Sequence, residues 1–225
     1  MKRQIAVIGL GMFGREVAVS LANMGFSVMA IDSDAELVEA IKDDVAQALI
    51  LDTTSEQALL DAKIDGIEVV VNAIGTQHIE NSILTTALLH QLGVVHIVAR
   101  ATTPLHARIL RQVGAHEVIN PEEDMARKLA HQLARPGLHE ILPLAEGVSV
   151  AELPAPASFV GKTIAQIEVR KQYHVNIIGV QRLDADGEKR HMVLSLSPTD
   201  DTFREGDLLV LVGRDKDLDR LSELA

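Results

Sequence analysis

The chain has 225 residues, a formal net charge of −11 and no cysteine. That length suits one large and one small domain, and a composition that is 47% hydrophobic but only 2% aromatic builds cores of Val, Ile, Leu and Ala. The negative charge sets nucleic acid and binding to an anionic membrane surface aside, the missing thiols exclude disulfides, thiolate catalysis and Cys-zinc sites, and no apolar run approaches the roughly 20 residues that span a bilayer, so direct membrane insertion is not expected.

Gln4–Ile8 (QIAVI) reads as a buried strand, and so early an entry into structure leaves no room for a signal peptide and points to a cytoplasmic protein. Gly9-Leu10-Gly11-Met12-Phe13-Gly14 follows, then a helical pattern from Arg15 to Met24 and a second apolar run, Ser27–Ile31, that ends on Asp32. Strand, glycine turn, helix, strand and acid stand in the order of a dinucleotide-binding βαβ unit. Gly9 permits the tight turn, Gly11 lets a diphosphate approach the backbone, and Gly14 lets the helix pack on the strand. The free N–H groups at the helix start favour an anion. Asp32 accepts from ribose hydroxyls and repels a 2′-phosphate. An adenine nucleotide site is the expectation.

The alternation continues through helix Ala35–Lys42 with Asp34 as N-cap, strand Gln47–Leu51, helix Ser55–Asp61 and strand Glu68–Asn72. Helix Ile79–Leu92, strand Val94–Ala99, helix Pro104–Val113, strand Glu117–Ile119 and helix Pro121–Ala134 complete it. Apolar strands separated by helices predict an α/β fold, a Rossmann-like doubly wound parallel sheet, in which ligands sit at the carboxyl ends of the strands. The candidate binding set is therefore Gly9, Gly11, Met12, Phe13, Gly14, Asp32, Ser33, Asp52, Thr53, Ala73, Ile74, Gly75 and Arg100. Arg100 either offsets phosphate charge or pairs with a nearby acid. His78 follows the fourth strand and is placed to line the same pocket.

Arg135-Pro136-Gly137 breaks the helix and ends the first domain, residues 1–137, with 138–147 as a linker. Beyond it, strand Gly147–Leu153, a short helix Val160–Glu168, strand Val175–Arg182, a hairpin turn at Asp184–Gly187, strand Met192–Leu196, strand Asp207–Val212 and helix Asp215–Leu221 form a small α+β C-terminal module, 148–225. Its histidines, His174 and His191, form no cluster poised for acid–base chemistry. HExxH, GxSxG and GxxxxGK[ST] are all absent from the chain. The pattern suits a sensor and not an enzyme.

The whole chain resembles the RCK-domain (TrkA-N/TrkA-C) regulatory subunits of Ktr/Trk-type potassium uptake systems. The match is carried by Gly9–Gly14, Asp32, Asn72-Ala73-Ile74-Gly75, Gly114-Ala115 and Asn120-Pro121-Glu122-Glu123-Asp124-Met125. Gly161-Lys162-Thr163-Ile164, Val169-Arg170, Ser195-Leu196-Ser197-Pro198 and Glu205-Gly206-Asp207 add to it. The resemblance implies a cytoplasmic homo-oligomer, dimers forming an octameric ring, peripheral to the inner face of the cell membrane through an integral-membrane potassium transporter subunit. It implies ATP/ADP or NAD(H) at the glycine loop, with Gly9, Gly11 and Gly14 on the phosphates, Asp32 on the ribose and Asp52 near the adenosine. It further implies a divalent cation (Mg or Ca) at Glu122, for which a first-turn glutamate favoured by the helix dipole is the alternative, and cyclic di-AMP at Arg170, Asn176 and Pro198. Family members that sense ATP carry arginine where this chain has Met12, which favours ADP or NAD(H) here; Arg15 is close enough to substitute. The competing expectations are an NAD(P)-dependent oxidoreductase and an RCK-type regulator of another channel or antiporter.

Overall fold

The structure is a computed structural model, described over residues 3–75, 78–134, 137–184, 190–193 and 201–224. The expected hairpin turn through Asp186 and Gly187, the boundary residues Arg135-Pro136 and the Ser195–Pro198 stretch with the candidate Pro198 lie outside the described residues. The chain divides into two compact units, Met1–Asp124 and Met125–Ala225.

The first unit is built on β1 (Gln4–Ile8), β2 (Ser27–Asp32), β3 (Gln47–Ile50), β4 (Val69–Asn72), β5 (His96–Arg100) and β6 (Glu117–Ile119). They form one parallel sheet in the order β3-β2-β1-β4-β5-β6. Connecting helices are α1 (Met12–Asn23), α2 (Ala35–Ile41), α3 (Glu56–Asp61), α4 (Ile79–Gln91) and α5 (Pro104–Gln112), and α6 (Pro121–Ala134) follows β6 and runs on into the second unit. Alternate residues of β1 and β2 fall into two cores: Ala6, Ile8, Met29 and Ile31 in one, Ile5, Val7, Val28 and Ala30 in the other. Because successive side chains of a strand point to opposite faces, both faces of the sheet are covered, which is why these strands read as unbroken apolar runs. The order reverses between β1 and β4, which stay paired to their carboxyl ends, and such a switch point is where these sheets leave a crevice for ligands.

Helix starts follow local chemistry. Asp34, Ser55 and Thr103 each accept an N–H from the first turn of α2, α3 and α5. Helix α1 differs: it begins at Met12, three residues before the expected Arg15, with Gly11 as N-cap and no side-chain cap.

The second unit holds a five-stranded antiparallel sheet in the order β10-β9-β11-β8-β7. Its strands are β7 (His139–Ala145), β8 (Val148–Pro154), β9 (Asn176–Leu183), β10 (Arg190–Val193) and β11 (Leu208–Arg214), with helices α7 (Ile164–Ile167), α8 (Val169–Tyr173) and α9 (Asp215–Ser222). The 138–147 stretch, expected as a linker, contains β7. Its Pro143 interrupts a strand pattern in sequence, but β7 is an edge strand, where a residue without an N–H is tolerated. The expected helix Val160–Glu168 is shorter: a Thr163–Gln166 capping box starts α7, and Glu168, with φ +49°, separates it from α8. Three of the chain's few aromatic residues meet in this core, with Phe159 6.0 Å from Tyr173 and 6.1 Å from Phe203 between ring centroids. Among the described residues no helix is long and apolar enough to cross a membrane.

Candidate functional site

A cavity of about 660 Å³ opens at the carboxyl ends of β1 to β5. Of the residues expected from sequence, Gly9, Gly11, Asp32, Ser33, Asp52, Thr53, Ala73, Ile74, Gly75 and Arg100 line it, as does His78. Met12, Phe13 and Gly14 lie outside its lining: Met12 is 94% exposed at the start of α1, and Gly14 is buried behind the turn. Asn81, in the first turn of α4, lines the cavity and has no counterpart in the sequence reading. Its signal was its position, one turn into the helix that follows the end of β4.

The three glycines have separate reasons. Gly9 has φ +89°, and a Cβ there would lie 2.8 Å from the backbone nitrogen of Ile74. At Gly14 a Cβ would lie 1.8 Å from the Gly9 carbonyl oxygen, so α1 could not sit this close to the turn. Gly11 is different: a Cβ would meet no protein atom within 4 Å. Nothing in the protein's own packing requires glycine there, so its smallness keeps space open on the cavity side. Helix α1 starts at that point with no side-chain cap and no acid in its first turn. Unfilled N–H donors and the positive helix end favour an anion, so the residues present fit a phosphate group.

Carboxylates line the other end. Asp32 Oδ2 accepts the Leu10 N–H at 2.6 Å and Oδ1 accepts the Asp34 N–H at 2.9 Å. Each oxygen keeps a second lone pair for a hydroxyl donor. Asp52 accepts from the Thr54 hydroxyl at 2.7 Å and its N–H at 3.0 Å, which together hold its carboxyl below the usual range. The Thr53 hydroxyl is turned inward to Thr85 at 2.8 Å and is buried, so it fixes α4 to the loop after β3. Asn72, fully buried, does the same for the Ala73–Gly75 turn. Its amide donates to the Ser82 carbonyl and the Thr86 hydroxyl, each at 2.9 Å, and its Oδ1 accepts the Ile74 N–H at 3.2 Å.

Arg100 closes the β5 end. It pairs with Glu122 through Nη2, as the second of the two readings offered for it expected, and it also lines the cavity. Its guanidinium also lies over the Phe13 ring, 5.6 Å from the centroid, and that ring packs on the core beside β1 as well. Burial pushes the Glu122 carboxyl up, but its own backbone N–H and Arg100 outweigh this and leave it below the ordinary glutamate range. Among the described residues no group of three or more His, Asp or Glu side chains is arranged to hold a metal ion. Arg15 lies against α2, 3.4 Å from the Ala40 carbonyl and 4.0 Å from Asp44. In the second unit Arg170 on α8 and Asn176 at the start of β9 are both exposed.

A parallel 3-2-1-4-5-6 sheet with a glycine cradle at its switch point, followed by a small α+β module, defines a Rossmann-type protein with a second, smaller domain. Family models match along almost the whole chain: the TrkA-N domain over residues 5–121 and the TrkA-C domain over 148–225. The chain belongs to the TrkA-N/TrkA-C (RCK) family. It is 32% identical over 223 residues to Ktr system potassium uptake protein C of Bacillus subtilis (strain 168), covering 99% of this chain and 97% of the relative. It is 36% identical over 219 residues to Ktr system potassium uptake protein A of the same organism, covering 97% and 95%. Among solved structures it is similar to the GsuK channel bound to NAD, with 25% identity and a TM-score of 0.54, over 99% of this chain but only 38% of that one.

Proposed function

We propose that the protein is a cytosolic nucleotide-sensing regulatory subunit that gates a potassium transporter of the Ktr/Trk type by ligand-dependent conformational change. The observation that carries this reading is the cradle at Gly11, open on the cavity side at the uncapped start of α1. Support comes from relatives matched over nearly their full length that are potassium uptake proteins, and from a related channel structure that holds NAD.

In this reading Gly9, Gly11 and Gly14 shape the phosphate site, and Arg100 adds positive charge at its far side. Asp32 takes the ribose, with Ser33, Asp52 and Thr53 around the adenosine. Ala73, Ile74 and Gly75 form the floor. Met12 offers no donor to a third phosphate, and Arg15 is engaged with α2, which favours ADP or NAD(H) over ATP. The protein works as a non-catalytic homo-oligomer, dimers in an octameric ring docked under the membrane transporter, with a divalent cation at Glu122 between subunits. The C-terminal module takes cyclic di-AMP at Arg170, Asn176 and Pro198. A ligand shifts the assembly only by its difference in affinity for two states, and a coupling of about 1–3 kcal/mol is the usual order.

The test is calorimetric titration of the purified protein with ATP, ADP, NADH and NADP, with and without Mg²⁺, beside an NADH-oxidation assay. Adenine nucleotides bind at roughly micromolar levels without turnover, and NADP binds more weakly than NAD because of Asp32. No binding at all, or steady NADH oxidation with a small carbonyl compound, overturns the reading.

A further inference from the structure

We propose that Arg100 reads the charge of the bound nucleotide by exchanging its carboxylate partner, Glu122, for phosphate; this rests on the nucleotide reading of the cavity given above. Arg100 is the last residue of β5 and lines the cavity, with its side chain 15% exposed. Its Nη1 lies 3.6 Å from where a Cβ on Gly75 would stand, so the guanidinium reaches the rim of the β4 turn. Phe13 supports it from one face. The fork is incompletely used. Nη2 donates to Glu122, while Nε is buried and has no hydrogen-bond partner among the described residues. A guanidinium presents five donors in a fixed plane and matches a bidentate oxyanion better than one carboxylate oxygen.

Glu122 is the weaker competitor. Its side chain is 59% exposed, and a solvated ion pair contributes little. A phosphate carrying more than one negative charge, placed beside the same guanidinium inside the cavity, has the larger Coulomb attraction. Exchange leaves the Glu122 carboxylate without its cation. Glu122 stands in the first turn of α6, and the division between the two compact units falls inside that helix, after Asp124. Loss of the pair therefore acts on the segment through which the chain passes from one unit to the other. Ligands are sorted by what they present at the β5 end: phosphates draw Arg100 away, whereas an uncharged or cationic ring such as nicotinamide leaves the Arg100–Glu122 pair in place.

The test is titration of the full chain in metal-free buffer with adenosine, AMP, ADP, ATP and NADH, in the wild type, Glu122→Gln and Arg100→Gln. Glu122→Gln removes the competitor, and the expected result is about threefold or more tighter ADP and ATP binding, the gain growing with phosphate number. Arg100→Gln flattens that dependence. Unchanged ADP and ATP affinity in Glu122→Gln overturns the exchange and leaves the cavity reading intact, whereas a wild type that binds none of the five ligands overturns both. Amide exchange of α6 in the wild type gives the second readout: it changes with ADP and not with adenosine, and identical exchange with the two overturns the step through Glu122.

Discussion

Asp32 Oδ2 holds the Leu10 N–H at 2.6 Å, so the acid at the end of β2 also pins the middle of the glycine turn after β1. A charge-assisted bond to backbone N–H fixes the turn before any ligand arrives, and Leu10 itself is buried beneath it. Asp32→Ala removes this acceptor and the Asp34 bond together. The expected loss is about 1.5–3 kcal/mol of stability, read as a lower urea midpoint, together with weaker nucleotide binding. An unshifted midpoint says that the turn is held by something else.

Two glycines only three residues apart are expected to respond in opposite ways. Gly14→Ala places a Cβ 1.8 Å from the Gly9 carbonyl oxygen, so α1 must move, and overpacking of this kind costs about 1–3 kcal/mol or more. Gly11→Ala meets no protein atom, and its φ of −60° suits alanine, so stability stays within about 0.5 kcal/mol of wild type. The added methyl stands where the phosphates would lie, and nucleotide affinity falls by roughly tenfold or more, which is about 1.4 kcal/mol. Parallel melts and titrations separate the two. Normal binding in Gly11→Ala removes the phosphates from the cradle.

The Ala73–Gly75 turn depends on Asn72, which makes two hydrogen bonds to α4 and accepts a third from the Ile74 N–H of the turn itself. Asn72→Ala leaves the part-buried Ile74 N–H without its acceptor and opens a small void at the fully buried Asn72 site. About 2–3 kcal/mol of stability is lost, with a matching fall in nucleotide affinity because the cavity floor moves. Asn72→Asp keeps the acceptor for Ile74, loses both bonds to α4 and sets a buried carboxyl oxygen against the Ser82 carbonyl, so it is expected to cost at least as much as Asn72→Ala.

Much of this was legible in the chain because the signal was local. Glycine spacing, the acids closing β2 and β3, and apolar runs of strand length place most of the cavity lining without any contact information. The partners chosen across the fold were not legible. Nothing local to Arg100 selects Glu122, 22 residues on, or the Phe13 ring, since these meet only when β5, α1 and α6 converge. Thr53 reads as a ligand-facing hydroxyl until α4 supplies Thr85. β7 was hidden by Pro143, whose place in an edge strand is a property of the sheet and not of the segment.

The second unit carries its own pH sensitivity. Arg182 grips Asp207 through Nε at 2.8 Å and Nη2 at 2.7 Å, and the Arg204 N–H adds a third bond at 2.8 Å. Burial pushes the Asp207 carboxyl up, but the Arg182 guanidinium and the Arg204 N–H outweigh it and leave it below the usual aspartate value. A carboxylate depressed in the folded state stabilises fully above its unfolded value, about 3.9, and that stabilisation is lost as pH falls through the lower folded value. Asp207→Asn takes the paired carboxylate from a guanidinium only 12% exposed and leaves Asp201 as the acid acting on it, at a cost of about 3 kcal/mol near neutral pH. The gap between wild type and variant narrows in acid, because protonation removes the same charge from the wild type. Tyr173 reports this unit alone, being the single tyrosine of a chain without tryptophan and packed on Phe159. Urea unfolding followed by its fluorescence at about pH 7 and about pH 3 makes the measurement, and a gap of equal size at both values rules out the pair as its source.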